Sequence, residues 1–223
     1  IKINPNYVQA YNNLGAYMHR LGNTNEAIQN YKKAIEIQPN HAEAHNNLGA
    51  TYKTLGENEK SISCYQKAIE IQPNHANAHN NLGTALLDTG KIAKSIQCYQ
   101  TAIAIQPNHV DAHNNIGTTY KKLKEYKKSI FHYEQAIKIN SKSPVAYCNL
   151  ANVYKVLGEY KKAISSHEKA LQLDPSYADA YFNLGTIFEV LNDLDEAIKY
   201  YKKAIEAQPS HADANSNLLF DIC

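Results

Sequence analysis

The sequence predicts an all-α chain made of repeated helix pairs, and three observations carry that prediction. Prolines recur at intervals of 34 residues. Between them, apolar residues fall at helical spacing. Small residues occupy fixed columns of the repeat.

Pro5, Pro39, Pro73 and Pro107 are 34 apart, as are Pro175 and Pro209; Ser141 interrupts the series, with Pro144 displaced by three. A fixed period of this length marks a stacked array. Six full units can be drawn: 8–41, 42–75, 76–109, 110–143, 144–177 and 178–211. Residues 1–7 match the end of a preceding unit, and 212–223 match the first helix of a further one. The single array is therefore expected to be part of a longer run of repeats.

Each unit reads as two helices. In the second unit the first helix carries Ala44, Leu48, Tyr52 and Leu55 on one face. Gly22, Gly56, Gly90 and Gly158 then fit a left-handed helix stop; Asn192 suits that conformation too, and Lys124 suits it less. The second helix follows with Ile62, Tyr65, Ala68 and Ile69, and a proline ends it. Asn40, Asn74 and Asn108 are expected to cap the first helix of the next unit.

The columns predict how the helices pack. Alanine occupies one position throughout: Ala10, Ala44, Ala78, Ala112, Ala146, Ala180 and Ala214. Gly15, Gly49, Gly83, Gly117 and Gly185 occupy another, with Ala151 in the fifth unit. A glycine inside a helix costs about 1 kcal/mol against alanine, so close helix approach is its expected reason. Tyr31, Tyr65, Tyr99, Tyr133 and Tyr201 form a third column, with His167 in the fifth unit. These rings are expected to fill the space between neighbouring units.

The sixth unit sets out the whole pattern: Tyr181, Leu184, Gly185, Phe188, Ala197, Tyr201, Ala204 and Pro209. It resembles the tetratricopeptide repeat, and the resemblance runs along essentially the whole chain. The resemblance implies an α-solenoid of stacked antiparallel helix pairs forming a right-handed superhelix, with the first helix of each pair lining the concave side. The array is similar to that of the protein O-linked N-acetylglucosamine transferases and of related bacterial repeat proteins.

Composition narrows the function classes. The chain has 223 residues, is 43% hydrophobic and 20% charged, and carries a formal net charge of +2. That balance gives no reason to expect a nucleic-acid or membrane partner. No apolar run approaches the roughly 20 residues that cross a bilayer. No secretory signal is visible, and the sequence does not name a compartment; four cysteines without CxxC pairing fit a reducing, intracellular one. Phosphate-cradling loops, HExxH and GxSxG are missing, so no catalytic residue and no cofactor are assigned. Glu43, Asp111 and Asp179 share the start of the first helix, where they complement its dipole.

The strongest candidate site is a column of asparagine: Asn13, Asn47, Asn81, Asn115, Asn149, Asn183 and Asn217. Asparagine is a poor helix former, so local propensity does not explain it. Its amide both donates and accepts hydrogen bonds. A row of such amides can hold an extended peptide by its backbone, whatever its side chains. The resemblance places this column on the concave groove and implies the same use. The rival reading is that these asparagines serve helix packing. Asn12, Asn46, Asn80 and Asn114 precede them, replaced later by Cys148, Phe182 and Ser216. If this second column borders the groove, its polar members suit polar peptide segments and Phe182 an apolar one.

Other clusters read as structural. A chaperone-binding subclass of the family clamps a C-terminal carboxylate with lysine and arginine; the matching places here hold Asn12, Asn46, Asn80 or Asn114 and the asparagine column, which argues against that use. His41/His45, His75/His79 and His109/His113 are four apart, a spacing that suits a metal. No third ligand recurs beside them, so no metal is assigned and packing or surface roles are expected. Lys121, Lys122, Lys124, Lys127 and Lys128 read as a solvated basic face.

The sequence thus predicts a protein-interaction scaffold that binds an extended peptide or partner segment, and no enzyme activity in this chain. Two alternatives stand beside it. The tail Asn215-Ser216-Asn217-Leu218-Leu219-Phe220 resembles the repeat that joins such arrays to the catalytic domain of a glycosyltransferase, which would make the chain a substrate-recruiting arm. Exposed end repeats would instead make it a self-associating assembly unit.

Overall fold

The computed structural model describes the backbone of residues 7–222 and the side chains of residues 7–217. Pro5, Cys223 and the side chains of Leu218, Leu219 and Phe220 lie outside the described residues. Within them the chain is all α-helix, in two bodies, Ile1–Asn115 and Ile116–Cys223.

The first body holds α1 (Val8–Arg20), α2 (Thr24–Ile37), α3 (Ala42–Thr54), α4 (Asn58–Ile71), α5 (Ala76–Asp88), α6 (Ile92–Ile105) and the start of α7 (Val110–Lys122). The second holds the rest of α7, then α8 (Tyr126–Ile139), α9 (Pro144–Val156), α10 (Tyr160–Leu173), α11 (Ala178–Val190), α12 (Leu194–Ala207) and α13 (Ala212–Ile222). In the first body α1 packs most closely on α2, α3 on α4 and α5 on α6; α2 then packs on α3 and α4 on α5. The second body repeats this with α9 on α10 and α11 on α12, then α8 on α9, α10 on α11 and α12 on α13. Such nearest-neighbour packing is the mark of a solenoid.

The helix stops follow the glycine column. Gly22, Gly56, Gly90 and Gly158 all have positive φ, between 73° and 81°. At Gly56 the turn closes with Gly56 N–H on the Lys53 carbonyl and Glu57 N–H on that of Tyr52. Lys124 and Asn192 take the same conformation, each at φ 60°. Leu55, expected on the apolar face, sits instead at the C-cap of α3 and is 45% exposed.

The helix starts differ from expectation. Asn40, Asn74 and Asn108 are exposed turn residues, and the caps are the histidines that follow them. The Nδ1 atoms of His41, His75 and His109 accept from the N–H groups of Ala44, Ala78 and Ala112 at 3.0, 3.3 and 3.3 Å. His211 does the same for Ala214 at 3.2 Å, and the Ser143 hydroxyl for Ala146 at 3.4 Å. The imidazole stands directly at the cap and satisfies one of the orphan amides of the first turn. The asparagine, one residue earlier, does not.

The core is built on the glycine–tyrosine pairing. A Cβ added to Gly15, Gly49, Gly83, Gly117 or Gly185 would stand 2.5–2.9 Å from Cε1 of Tyr31, Tyr65, Tyr99, Tyr133 or Tyr201 respectively. Each ring therefore lies flat against the first helix of its own unit. It also reaches the next unit, as expected: Tyr31 packs with Leu48 and Tyr52, and Tyr65 with Leu82 and Leu86.

Candidate functional site

Cap geometry fixes the chemistry of the capping histidines. Because Nδ1 of His75 accepts a hydrogen bond, its ring proton lies on Nε2, which donates to Glu43 Oε2 at 3.1 Å. That bond, above all, holds the Glu43 carboxyl below its ordinary range. In the second body His211 Nε2 lies 3.3 Å from Asp179 Oδ1. Two of the three acids expected to complement helix dipoles, Glu43 and Asp179, also tie one repeat to the next. Nε2 of His109 is buried without a partner, and the residue in the place of Glu43 is Asn77. The second histidine of each spaced pair turns back, so His45, His79 and His113 place Nε2 at 3.0, 2.9 and 3.2 Å from the carbonyls of Pro39, Pro73 and Pro107.

In the first body six asparagines of the two columns, Asn12, Asn46, Asn47, Asn80, Asn81 and Asn115, form one continuous network. Asn47 Nδ2 donates to Asn12 Oδ1 at 3.1 Å, Asn81 to Asn46 at 3.0 Å, and Asn115 to Asn80 at 3.0 Å. Asn46 and Asn80 each donate to the asparagine that follows them, both at 3.4 Å. Asn12, Asn46 and Asn80 are buried, while Asn47, Asn81 and Asn115 are half-exposed. Asn13 is exposed and accepts from Gln9 at 2.8 Å. Buried polar groups need such partners, so the network contributes to stability. It also fixes the direction in which the half-exposed amides point. Beyond these bonds Asn81 keeps one N–H and one carbonyl lone pair.

Asn81 and Asn115 line a hollow of about 420 Å³ together with His19, Lys53, Thr84 and Asp111. Both residues therefore border space that a ligand can enter. Lys53 is neutralised there by Asp88, Nζ to Oδ2 2.8 Å.

The second body holds its asparagines by other means. Cys148 replaces the buried asparagine of the fifth unit. Asn149 is half-buried, Asn183 donates to the Asp179 carbonyl at 2.8 Å, and Asn217 donates to the Tyr201 hydroxyl at 3.1 Å. The Lys155 ammonium donates to Asn183 Oδ1 at 2.9 Å and Thr186 Oγ1 at 3.0 Å. Phe182 is half-buried, its ring 5.0 Å from that of His211 and 5.8 Å from that of Tyr201.

Sequence reasoning missed the lysines of this face. Lys121, expected on a solvated basic face with Lys122, Lys124, Lys127 and Lys128, is half-buried, whereas those four are exposed. The 34-residue register, which aligns Lys53, Lys121 and Lys155, was the signal that separates it from its neighbours.

One pair in the second body has the outline of a nucleophile and base, with Cys148 Sγ 3.3 Å from His167 Nδ1. Burial decides against that role. It pushes the thiol up to about 12 and the imidazole down to about 3, so both stay neutral at physiological pH.

A tetratricopeptide repeat family model matches residues 6–74, 40–108, 74–142 and 143–210. A comparison with curated proteins finds no match. Among solved structures, PilF of Pseudomonas aeruginosa is 23% identical, with a TM-score of 0.81 over 94% of this chain and 95% of its own. PilW, described as a widely conserved type IV pilus biogenesis factor, is 19% identical, with a TM-score of 0.86 over 95% and 98%. YrrB, described as carrying an unusual peptide-binding site, is 23% identical, with a TM-score of 0.63 over 84% and 96%.

Proposed function

The chain belongs to the tetratricopeptide repeat family, and from that premise we propose that it is an interaction scaffold that captures an extended peptide along its asparagine face. The observation that carries this reading is Asn81. Its amide is locked by Asn46 and Asn80, borders the 420 Å³ hollow, and keeps a donor and an acceptor uncommitted. A peptide backbone presents the complementary pair at every residue. Orientation fixed before binding lowers the entropy lost on capture.

The ladder comprises Asn13, Asn47, Asn81, Asn115, Asn149, Asn183 and Asn217, with Asn12, Asn46, Asn80, Asn114 and Phe182 beside it. Packing and contact roles coexist, because each amide has more hydrogen-bonding capacity than one neighbour consumes. The peptide-binding site reported for YrrB is a precedent on the same architecture.

Binding to an arrayed peptide library tests the reading. The wild type is compared with a variant carrying N47A, N81A, N115A and N149A, whose helicity is checked by circular dichroism. The variant is expected to stay helical and lose binding across many peptide sequences. Unchanged binding by a folded variant would show that the asparagines serve packing alone.

A further inference from the structure

The first helices carry a column made of His19, Lys53, Leu87, Lys121, Lys155 and Glu189. In the first body its lysine is paired, since Lys53 meets Asp88, 35 residues later. The places 35 residues after Lys121 and Lys155 hold Val156 and Val190, which are 58% and 63% exposed. Two half-buried lysines have thus lost the acid that this register supplies, and an exposed aliphatic side chain stands in its place.

The other groups around them do not replace that acid. Lys155 bonds the neutral Asn183 and Thr186. Cys148 lies close to both lysines, but its thiol is un-ionised. Among the described residues neither lysine has a carboxylate within ion-pair distance. Burial holds both ammonium groups below the usual lysine range; Lys121 further lowers Lys155, and Lys122 further lowers Lys121. A half-buried cation without a counter-charge gains when an anion arrives.

We propose that Lys121 and Lys155 form a carboxylate site that receives an acidic side chain of an extended peptide, with Val156 and Val190 offering aliphatic contact to its neighbours. This inference rests on the peptide-capture reading and adds a preference to it. Backbone contacts to asparagine confer affinity without regard to sequence, and the lysines select segments with aspartate or glutamate. The occupant is a side-chain carboxylate within the segment, because the asparagines address chain that continues on both sides.

The test uses the full chain and fluorescence anisotropy with labelled ten-residue peptides. They are made in Glu/Gln pairs, the position scanned along the peptide, all with amidated C-termini; the Gln members are also made as free acids. At least one Glu peptide is expected to bind about tenfold more tightly than its Gln partner, with the preference shrinking as salt rises. K121M/K155M is expected to abolish the preference. V156D/V190D, which supplies the internal acid, is expected to do the same without removing a lysine. K127M, at an exposed lysine of α8, is expected to keep it. Equal binding of Glu and Gln peptides, a preference that survives in folded K121M/K155M, or a preference conferred only by a free C-terminus overturns the inference while leaving peptide capture standing. If no peptide binds at all, the capture reading fails, and this inference fails with it.

Discussion

The ring of Tyr201 lies so close to Gly185 that a Cβ on the glycine would stand 2.5 Å from Cε1. Only a missing side chain permits that approach. The fifth unit departs from the pattern at both positions together, with Ala151 for the glycine and His167 for the tyrosine, both fully buried. A smaller ring makes room for the methyl group. The two columns are one packing unit and change as a pair.

Gly83 and Tyr99 offer the cleanest test of that coupling. Overpacking costs about 1–3 kcal/mol, against about 1 kcal/mol of helix propensity gained by alanine. G83A is expected to lower stability by up to about 2 kcal/mol. Adding Y99H is expected to cost much less in the G83A background than in the wild type. Urea unfolding of the four proteins in the double-mutant cycle measures it.

Lys124 holds a left-handed conformation that costs a residue with a Cβ about 1 kcal/mol. K124G is therefore expected to stabilise the second body by up to about 1 kcal/mol. The same substitution at exposed Lys169, inside α10, is expected to destabilise by about as much. Thermal unfolding followed by circular dichroism separates the two.

The Glu43–His75 contact has a definite pH signature. The Glu43 carboxyl is depressed, so its stabilising effect is present above the unfolded carboxylate value of about 4.3 and is lost as pH falls through the lower folded value. Glu43 is half-exposed, which keeps the effect to about 1 kcal/mol or less. Wild type is expected to exceed E43Q in stability at pH 6. The gap is expected to close as pH is lowered below about 4.3, in melting temperatures measured along a pH series.

His109 lacks the acceptor that His75 and His211 have. N77E is expected to supply one, raising both the His109 pKa and overall stability, the latter by about 1 kcal/mol. Imidazole chemical shifts followed through a pH titration report the first change, and urea unfolding the second.

Much of this architecture is written in the sequence as spacing. Proline ends the second helices, glycine stops the first, and the Ala and Tyr columns give the buried faces, because each is a local demand on one residue. Contacts between units are harder to see. They join residues 35 apart, as in Asn12–Asn47, Asn46–Asn81, Asn80–Asn115 and Lys53–Asp88, one position off the repeat period. Reading down a column shows the ladder but not the neighbour that locks it. The histidine caps escaped for another reason: imidazole is an uncommon cap, and an asparagine stands one residue before it. Lys121 was hidden by the lysines that follow it in the chain but point elsewhere.

The central claim is that half-exposed asparagine amides hold a peptide by its backbone. The side-chain NH₂ resonances of Asn47, Asn81 and Asn115, followed by NMR during titration with a library-selected peptide and with its backbone N-methylated analogue, test this most directly. The account predicts that these signals shift on saturable binding of the plain peptide, and that the N-methylated analogue, with the same side chains, binds weakly or not at all. Equal binding of both peptides with the asparagine signals unmoved would contradict it.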